Sequence, residues 1–265
     1  MIVDEQKAAE KLAGEAITLA YDRRPVVENL DLIIPGGCFT ALIGPNGSGK
    51  SSILRSLAGL MTPLCGTILL DGRSIAALST RHMARRVGML LQGPVAPEGL
   101  TVRDLVRQGR YPHRSLFGRW SVEDEAAVNE ALMLAGMDTL ADRLLESLSG
   151  GQRQRAWIAM TLAQQSEVIL LDEPTTYLDL EHQIELMHLV TRLVSRNGKT
   201  VVAVLHDINQ AARYAEHIII LKNGEITAAG RPANVISADT IETVFNVKTV
   251  VIRDPVAGTP LCIPL

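Results

Sequence analysis

Glycines, a lysine and a hydroxyl follow one another in the run Gly44-Pro45-Asn46-Gly47-Ser48-Gly49-Lys50-Ser51, at the spacing G-x-x-x-x-G-K-S. That order suits a polyphosphate. Gly44, Gly47 and Gly49 let backbone N–H groups converge on phosphate oxygens, Lys50 reaches the terminal phosphates, and the Ser51 hydroxyl can ligate magnesium. Pro45, Asn46 and Ser48 within the run, and Ser52 directly after it, complete the expected cradle. A glycine-rich turn can share this composition, so the flanks matter: the apolar stretch Phe39 to Ile43 precedes the run and a helical stripe of Ile53, Leu54, Leu57 and Ala58 follows it. Strand, loop and helix are the context a phosphate loop requires. Further on, Ile169 to Leu171 ends in two carboxylates, Asp172 and Glu173, before Pro174. Alone, such a pair is an ordinary solvated strand end; beside a phosphate loop, Asp172 is expected to hold the metal and Glu173 to act as general base toward water. Between these segments Leu148 to Gln152 reads LSGGQ, a serine cap before Gly150 and Gly151 in the first turn of a helix. Ser149, Gly150, Gly151 and Gln152 thus make a second anion-binding helix end, which needs a second phosphate to serve.

The elements that must position these residues can be read from pattern. From Ala16 to about Leu70 short strands alternate with turns such as Pro35-Gly36-Gly37 and Asp71-Gly72. Between Glu98 and about Gln164 the signals become helical, with Thr101 as one cap and Ser121 to Asp124 as a capping box before an Ala/Leu-striped run ending at Gly136. Strand signals return at Val168 to Asp172 and Thr200 to His206, each followed by a helical stretch, as in a parallel sheet with crossovers. The expected class is α/β, with no internal repeat, low-complexity linker or heptad array.

At 265 residues the chain can bury a sizeable core. Its 26 basic and 29 acidic residues leave a formal charge of −3, which gives no general attraction to nucleic acid, so none is expected as a partner. Cys38, Cys65 and Cys262 are odd in number and far apart, with no C-x-x-C pair, which fits a reducing compartment. No apolar run approaches the ~18 residues of a membrane span. The first fifteen residues alternate charges of both signs and do not resemble a secretory signal.

The three segments, in this order, resemble the ATP-binding cassette (ABC) family, and the resemblance runs from about Ile17 to Leu265. It implies a P-loop NTPase core with an antiparallel β subdomain and an inserted helical subdomain. The whole of residues 1–265 would be one ATPase domain, with the core at about 16–92 and 165–265 and the helical part at about 93–164. ATP and Mg2+ are the implied cofactors. The implied assembly is a homodimer that sandwiches two nucleotides, the LSGGQ helix of each chain meeting the ATP held by the other. Four further residues gain roles by resemblance: Tyr21 stacks on adenine, Gln92 touches the metal and senses the γ-phosphate, His206 is the switch histidine, and Asp179 lies in the dimer-contacting loop. Taken singly, a tyrosine or histidine at a strand end is more often structural, and Gln92 could be a surface amide. Thr176 stands where the family often carries serine.

Longer segments point to one branch. GRYPHRSLFGRW at Gly109 to Trp120, DEPTTYLDLEHQ at Asp172 to Gln183, LHDINQAARYA at Leu205 to Ala215 and DPVAGTPLCIP at Asp254 to Pro264 look like ATPase subunits of importers for ferric siderophores, with haem and cobalamin importers as the alternative. The implied partners are integral-membrane permease subunits and, indirectly, a solute-binding protein, with the chain peripheral on the cytoplasmic face of the membrane. Tyr111, Phe117 and Trp120, beside arginines, read either as a surface facing that membrane partner or as a small satellite core. A soluble, non-transport cassette ATPase is less favoured, because no coiled coil splits the phosphate loop from LSGGQ and the chain holds one cassette.

Overall fold

A computed structural model describes residues 10–114, 118–176 and 178–265. Strands β1 (Glu10–Tyr21) and β2 (Arg24–Pro35) form a hairpin across Asp22 and Arg23, both at positive φ, the twist that a two-residue turn between antiparallel strands needs. β3 (Phe39–Ile43) then enters a second sheet, while β4 (Cys65–Leu70) and the short β5 (Arg73–Ser74) return to the first, which is antiparallel in the order β2-β1-β4-β5. The first strand already includes residues 10–15, ahead of the Ala16 boundary read from sequence. Its charged start is tied down: Lys11 Nζ lies 3.0 Å from Asp71 Oδ1 and 2.6 Å from Glu167 Oε2, while Leu12 is buried on the opposite face.

The central sheet is completed by β6 (Val87–Leu90), β7 (Val168–Leu171), β8 (Thr200–Val204), β9 (His217–Lys222) and β10 (Glu225–Gly230), in the order β10-β9-β3-β8-β7-β6. All neighbours run parallel except β10, which is antiparallel to β9. Every residue of β3, β7 and β8 is buried, and apart from Thr40 and Thr200 these strands are apolar throughout, the mark of a sheet covered on both faces. Their carboxyl ends lie side by side, where ligands of open α/β sheets bind.

Helices α1 (Lys50–Leu57), α2 (Thr80–Arg86), α3 (Val102–Gln108), α4 (Val122–Leu134) and α5 (Gly150–Ala163) follow in chain order. α3, α4 and α5 each begin with a reciprocal capping box: Thr101 with Asp104, Ser121 with Asp124, and Ser149 with Gln152. They pack through Val106, Val128, Ala131 and Ala159, and the end of α3 closes on α5 so tightly that a Cβ on Gly109 would lie 2.1 Å from the Met160 carbonyl. Arg110 and Asp124, both buried, pair at 2.9 Å, and Arg110 also donates to the Ala163 carbonyl. Beyond lie α6 (Leu180–Asn197), α7 (Ile208–Tyr214), α8 (Pro232–Val235), α9 (Ala238–Phe245) and a tail hairpin of β11 (Thr249–Arg253) and β12 (Pro260–Pro264).

Candidate nucleotide site

The loop after β3 adopts backbone that its glycines make possible. Gly44 has φ 153° and a Cβ there would sit 2.1 Å from the Leu221 carbonyl, while Gly49 has φ 94° and caps α1 without a side chain. The first N–H groups of α1 therefore face the loop with no side-chain cap. Lys50, 5% exposed, folds back so that Nζ donates to the carbonyls of Gly44 at 2.8 Å and Pro45 at 2.7 Å. Burial lowers its pKa, and the nearby Glu173 and Asp172 carboxylates oppose that shift.

The ends of β7 and β8 bring acidic and basic partners to the same place. Ser51 Oγ donates to Asp172 Oδ1 at 2.8 Å. Asp172 is 1% exposed, and its other oxygen, Oδ2, is buried with no hydrogen-bond partner among the described residues. Burial raises the pKa of Asp172, against the Ser51 hydrogen bond and the charge of Arg55. A buried carboxylate oxygen lacking a partner, next to a serine hydroxyl, is a donor set that fits a hard divalent cation such as magnesium.

Glu173, at φ 50°, is where the other predicted residues meet. Its Oε2 accepts from Gln92 Nε2 at 2.6 Å, and its Oε1 lies 2.8 Å from His206 Nε2. Thr176 Oγ1 also donates to Oε2, at 3.2 Å. The sequence carries no sign of that contact, Thr176 standing out there only as a departure from serine.

An open cleft of about 490 Å³ joins these parts, lined by Tyr21, Asn46, Gly47, Gly49, Lys50, Ser51 and Ser52 on one side and Gln92, Glu173 and His206 on the other. Tyr21 stands at its mouth, 46% exposed, its hydroxyl 3.4 Å from Ser52 Oγ and 3.4 Å from an Arg55 guanidinium nitrogen. Arg55 and the cleft-lining Val26 escape a reading of the sequence, since neither belongs to a recognisable motif.

Ser149, Gly150, Gly151, Gln152 and Asp179 are not in this cleft. They form a separate surface at the adjoining N-terminal ends of α5 and α6: Ser149 Oγ accepts from Gln152 N at 3.2 Å, and Asp179 Oδ1 accepts from His182 N at 3.0 Å. The His182 ring lies 3.4 Å from the place of a Cβ on Gly151. Of the aromatic group, Tyr111 is exposed and Trp120 sits under Arg107 and Arg114, whose guanidinium carbons are 5.1 and 5.5 Å from its ring centre; Phe117 lies outside the described residues.

A glycine-rich loop opening a helix, a buried carboxylate beside a serine hydroxyl and a second, separate capped helix end are thus held on one chain. The family model described as "ABC transporter" matches residues 27–176. The chain belongs to the ABC transporter family. It is an ATP-binding ATPase domain of that family, and no helix among its described residues is long and apolar enough to cross a membrane. It is similar to the ferric enterobactin transport ATP-binding protein FepC of Escherichia coli (strain K12), 51% identical over 259 residues, or 98% of this chain and 96% of the relative. It is also similar to YusV of Bacillus subtilis (strain 168), described as a siderophore transport system ATP-binding protein, 52% identical over 96% of this chain and 92% of the relative. Among solved structures, an inward-facing transporter described as of metal-chelate type matches with a TM-score of 0.84 at 27% identity, covering 97% of this chain and 98% of that one.

Proposed function

We propose that this chain is the ATP-hydrolysing motor of a membrane importer and that its cargo is a ferric siderophore. The observation that carries the ATPase part is the meeting of Gln92, Thr176 and His206 on the one carboxylate of Glu173, across the cleft from Lys50. In this reading the loop from Gly44 to Gly49 and the first turn of α1, with Ser51 and Ser52, bind the phosphates and Lys50 leaves its two carbonyls for them. Glu173 draws a proton from the attacking water, held in place by Gln92 and Thr176, and His206 is poised to contact the terminal phosphate. Ser51 and Asp172, with Gln92 beside them, would hold magnesium, which when bound neutralises phosphate charge. Tyr21 stacks on the base.

The separate surface at Ser149 to Gln152 and Asp179 has no phosphate of its own to bind, which supports a homodimer in which it closes the cleft of a second copy. The division of labour follows the sequence reading: a core of about 16–92 and 165–265, extended to Glu10 by β1, with a helical part at about 93–164. Within the latter, Trp120, Arg107, Arg114 and the exposed Tyr111 line an open cleft of about 530 Å³, a composition suited to a protein interface; we assign it to the permease. A solute-binding protein would act through that permease, and the chain would sit peripherally on the cytoplasmic face of the membrane. The siderophore assignment is supported by the relatives' names and by the GRYPH and DPVAGTP segments, which lie outside the ATP chemistry. The test is uptake of labelled ferric siderophore, haem and cobalamin in a deletion strain complemented with wild type or Lys50→Ala. Siderophore uptake is expected to return with the wild type alone. Normal uptake of all three in the uncomplemented strain would overturn the importer assignment.

A further inference from the structure

Two of the segments that carry the branch resemblance, DEPTTYLDLEHQ and LHDINQAARYA, contain glutamines that the nucleotide cleft does not use. In the fold they meet. Gln210, in the first turn of α7, donates through Nε2 to Gln183 Oε1 at 2.7 Å, and Gln183 donates through its own Nε2 to the Leu178 carbonyl at 3.0 Å. Both amides are partly buried, and each Gln183 group has one partner of the matching kind.

Each end of this pair leads to a functional element. α7 starts two residues after His206, and Asp207 caps it, Oδ1 accepting from the backbone N–H groups of Asn209 at 2.8 Å and Gln210 at 3.0 Å. His206 itself is 2.8 Å from Glu173. At the other end, Leu178 directly precedes Asp179, which caps α6 and whose Oδ1 lies 2.5 Å from His182 Nδ1; that imidazole rests beside Gly151 of the LSGGQ helix. α7 is also fastened on a neighbouring face, where Asn209 donates to the Cys262 carbonyl at 3.1 Å and accepts from its N–H at 2.7 Å. Hydrogen bonds and adjacent residues thus run without a break from His206 through α7 and the amide pair to the Asp179 loop.

We propose that Gln183 and Gln210 are positioning residues that couple His206, at one chain's own nucleotide cleft, to the Asp179 loop and LSGGQ end that serve the second cleft of a dimer. The inference rests on the dimeric ATPase reading above and adds the route by which the two clefts communicate. Spatial continuity is only the starting point for such a route; non-additivity between its members is the physical warrant.

The test uses the full-length chain as wild type, Gln183→Met, Gln210→Met, the double variant and Gln183→Glu. The methionines keep side-chain length and lack the amide. Thermal unfolding verifies folding, a fluorescent ATP analogue titrated without magnesium measures nucleotide affinity, and ATPase rate against protein concentration yields the limiting rate of the dimer. Nucleotide affinity is expected to stay at the wild-type value, while either methionine lowers the limiting rate roughly 2- to 30-fold and the double variant falls no further than the weaker single. Gln183→Glu is expected to share the loss, because a carboxylate accepts from Gln210 but donates nothing to Leu178. Losses that multiply in the double variant, or Gln183→Glu at the wild-type rate, would overturn the coupling while leaving the ATPase reading intact. A wild-type chain that neither hydrolyses ATP nor depends on its own concentration would overturn the dimeric ATPase reading, and the coupling with it.

Discussion

Glu173 holds a left-handed backbone, at φ 50°, that costs a residue with a Cβ about 1 kcal/mol or more and that surrounding contacts must stabilise. Those contacts are Gln92, Thr176 and His206, and the strained position aims the carboxylate across the cleft from Lys50. Glu173→Gln keeps the shape and an accepting oxygen for Gln92, but it cannot take a proton from water. It is expected to bind ATP with wild-type affinity and to lower turnover by ~10²–10⁴, the scale of a lost general base. Phosphate release from the purified variant measures this, and a rate near wild type would remove Glu173 from the role. Lys50 is held as firmly: its ammonium donates to the two loop carbonyls of Gly44 and Pro45, which fixes the side chain against the loop that it follows.

Among elements, a cluster of four charges bridges the edge of the joint between the two sheets, whose interior is the apolar core from Leu12 and Ile34 to Leu42 and Leu170. Lys11 of β1 and Arg86 at the end of α2 both pair with Glu167, just before β7, and with Asp71, in the turn after β4. Arg86 and Lys11 hold the Glu167 carboxyl at about 2, below the usual 4.5. A depressed carboxylate stabilises the fold fully above its unfolded value and loses that contribution as pH falls through its folded value. Glu167→Gln is therefore expected to be less stable than wild type at pH 7. The gap should hold down to about pH 5 and narrow below 4.5, toward 2. Urea unfolding at a series of pH values follows it, and a gap independent of pH would assign the effect to packing instead. The cluster is half exposed at Glu167, so solvent and salt are expected to moderate it.

At the scale of the molecule, the chain carries one cleft with a phosphate loop and, apart from it, one capped helix end with glycines in its first turn. In the proposed dimer, two copies placed head to tail complete two sites. In the Glu173→Gln background, ATP is expected to shift the chain toward a dimer in sedimentation, because bound nucleotide is not consumed. Adding Ser149→Arg removes the cap and puts a long side chain over the anion end, and is expected to abolish the shift. ATP-driven dimerisation that persists in the variant carrying Ser149→Arg would place the contact elsewhere.

Much of this was legible in the chain itself, because its signals are local. β3 covers Phe39–Ile43 as the apolar run predicts, and Thr101, Ser121 and Ser149 each cap the helix they precede, since capping depends on a side chain and a backbone N–H three residues apart. The phosphate loop is legible for the same reason: its glycines answer demands of backbone that lie within the run, save the approaches of Leu221 to Gly44 and of Val27 to Gly49. Other features had no local signal. β1 includes Lys11, whose partners Asp71 and Glu167 are remote in sequence, and Gln92 reaches Glu173 across 81 residues. Thr176 on Glu173 and Gln183 on Gln210 are likewise products of which loops the parallel sheet sets side by side. The chain alone determined the kinds of groups present and the short-range geometry that each needs. Only the folded sheet decided which of them meet, because long-range pairing follows from strand order and close packing, and neither leaves a periodic trace in the residues that come together.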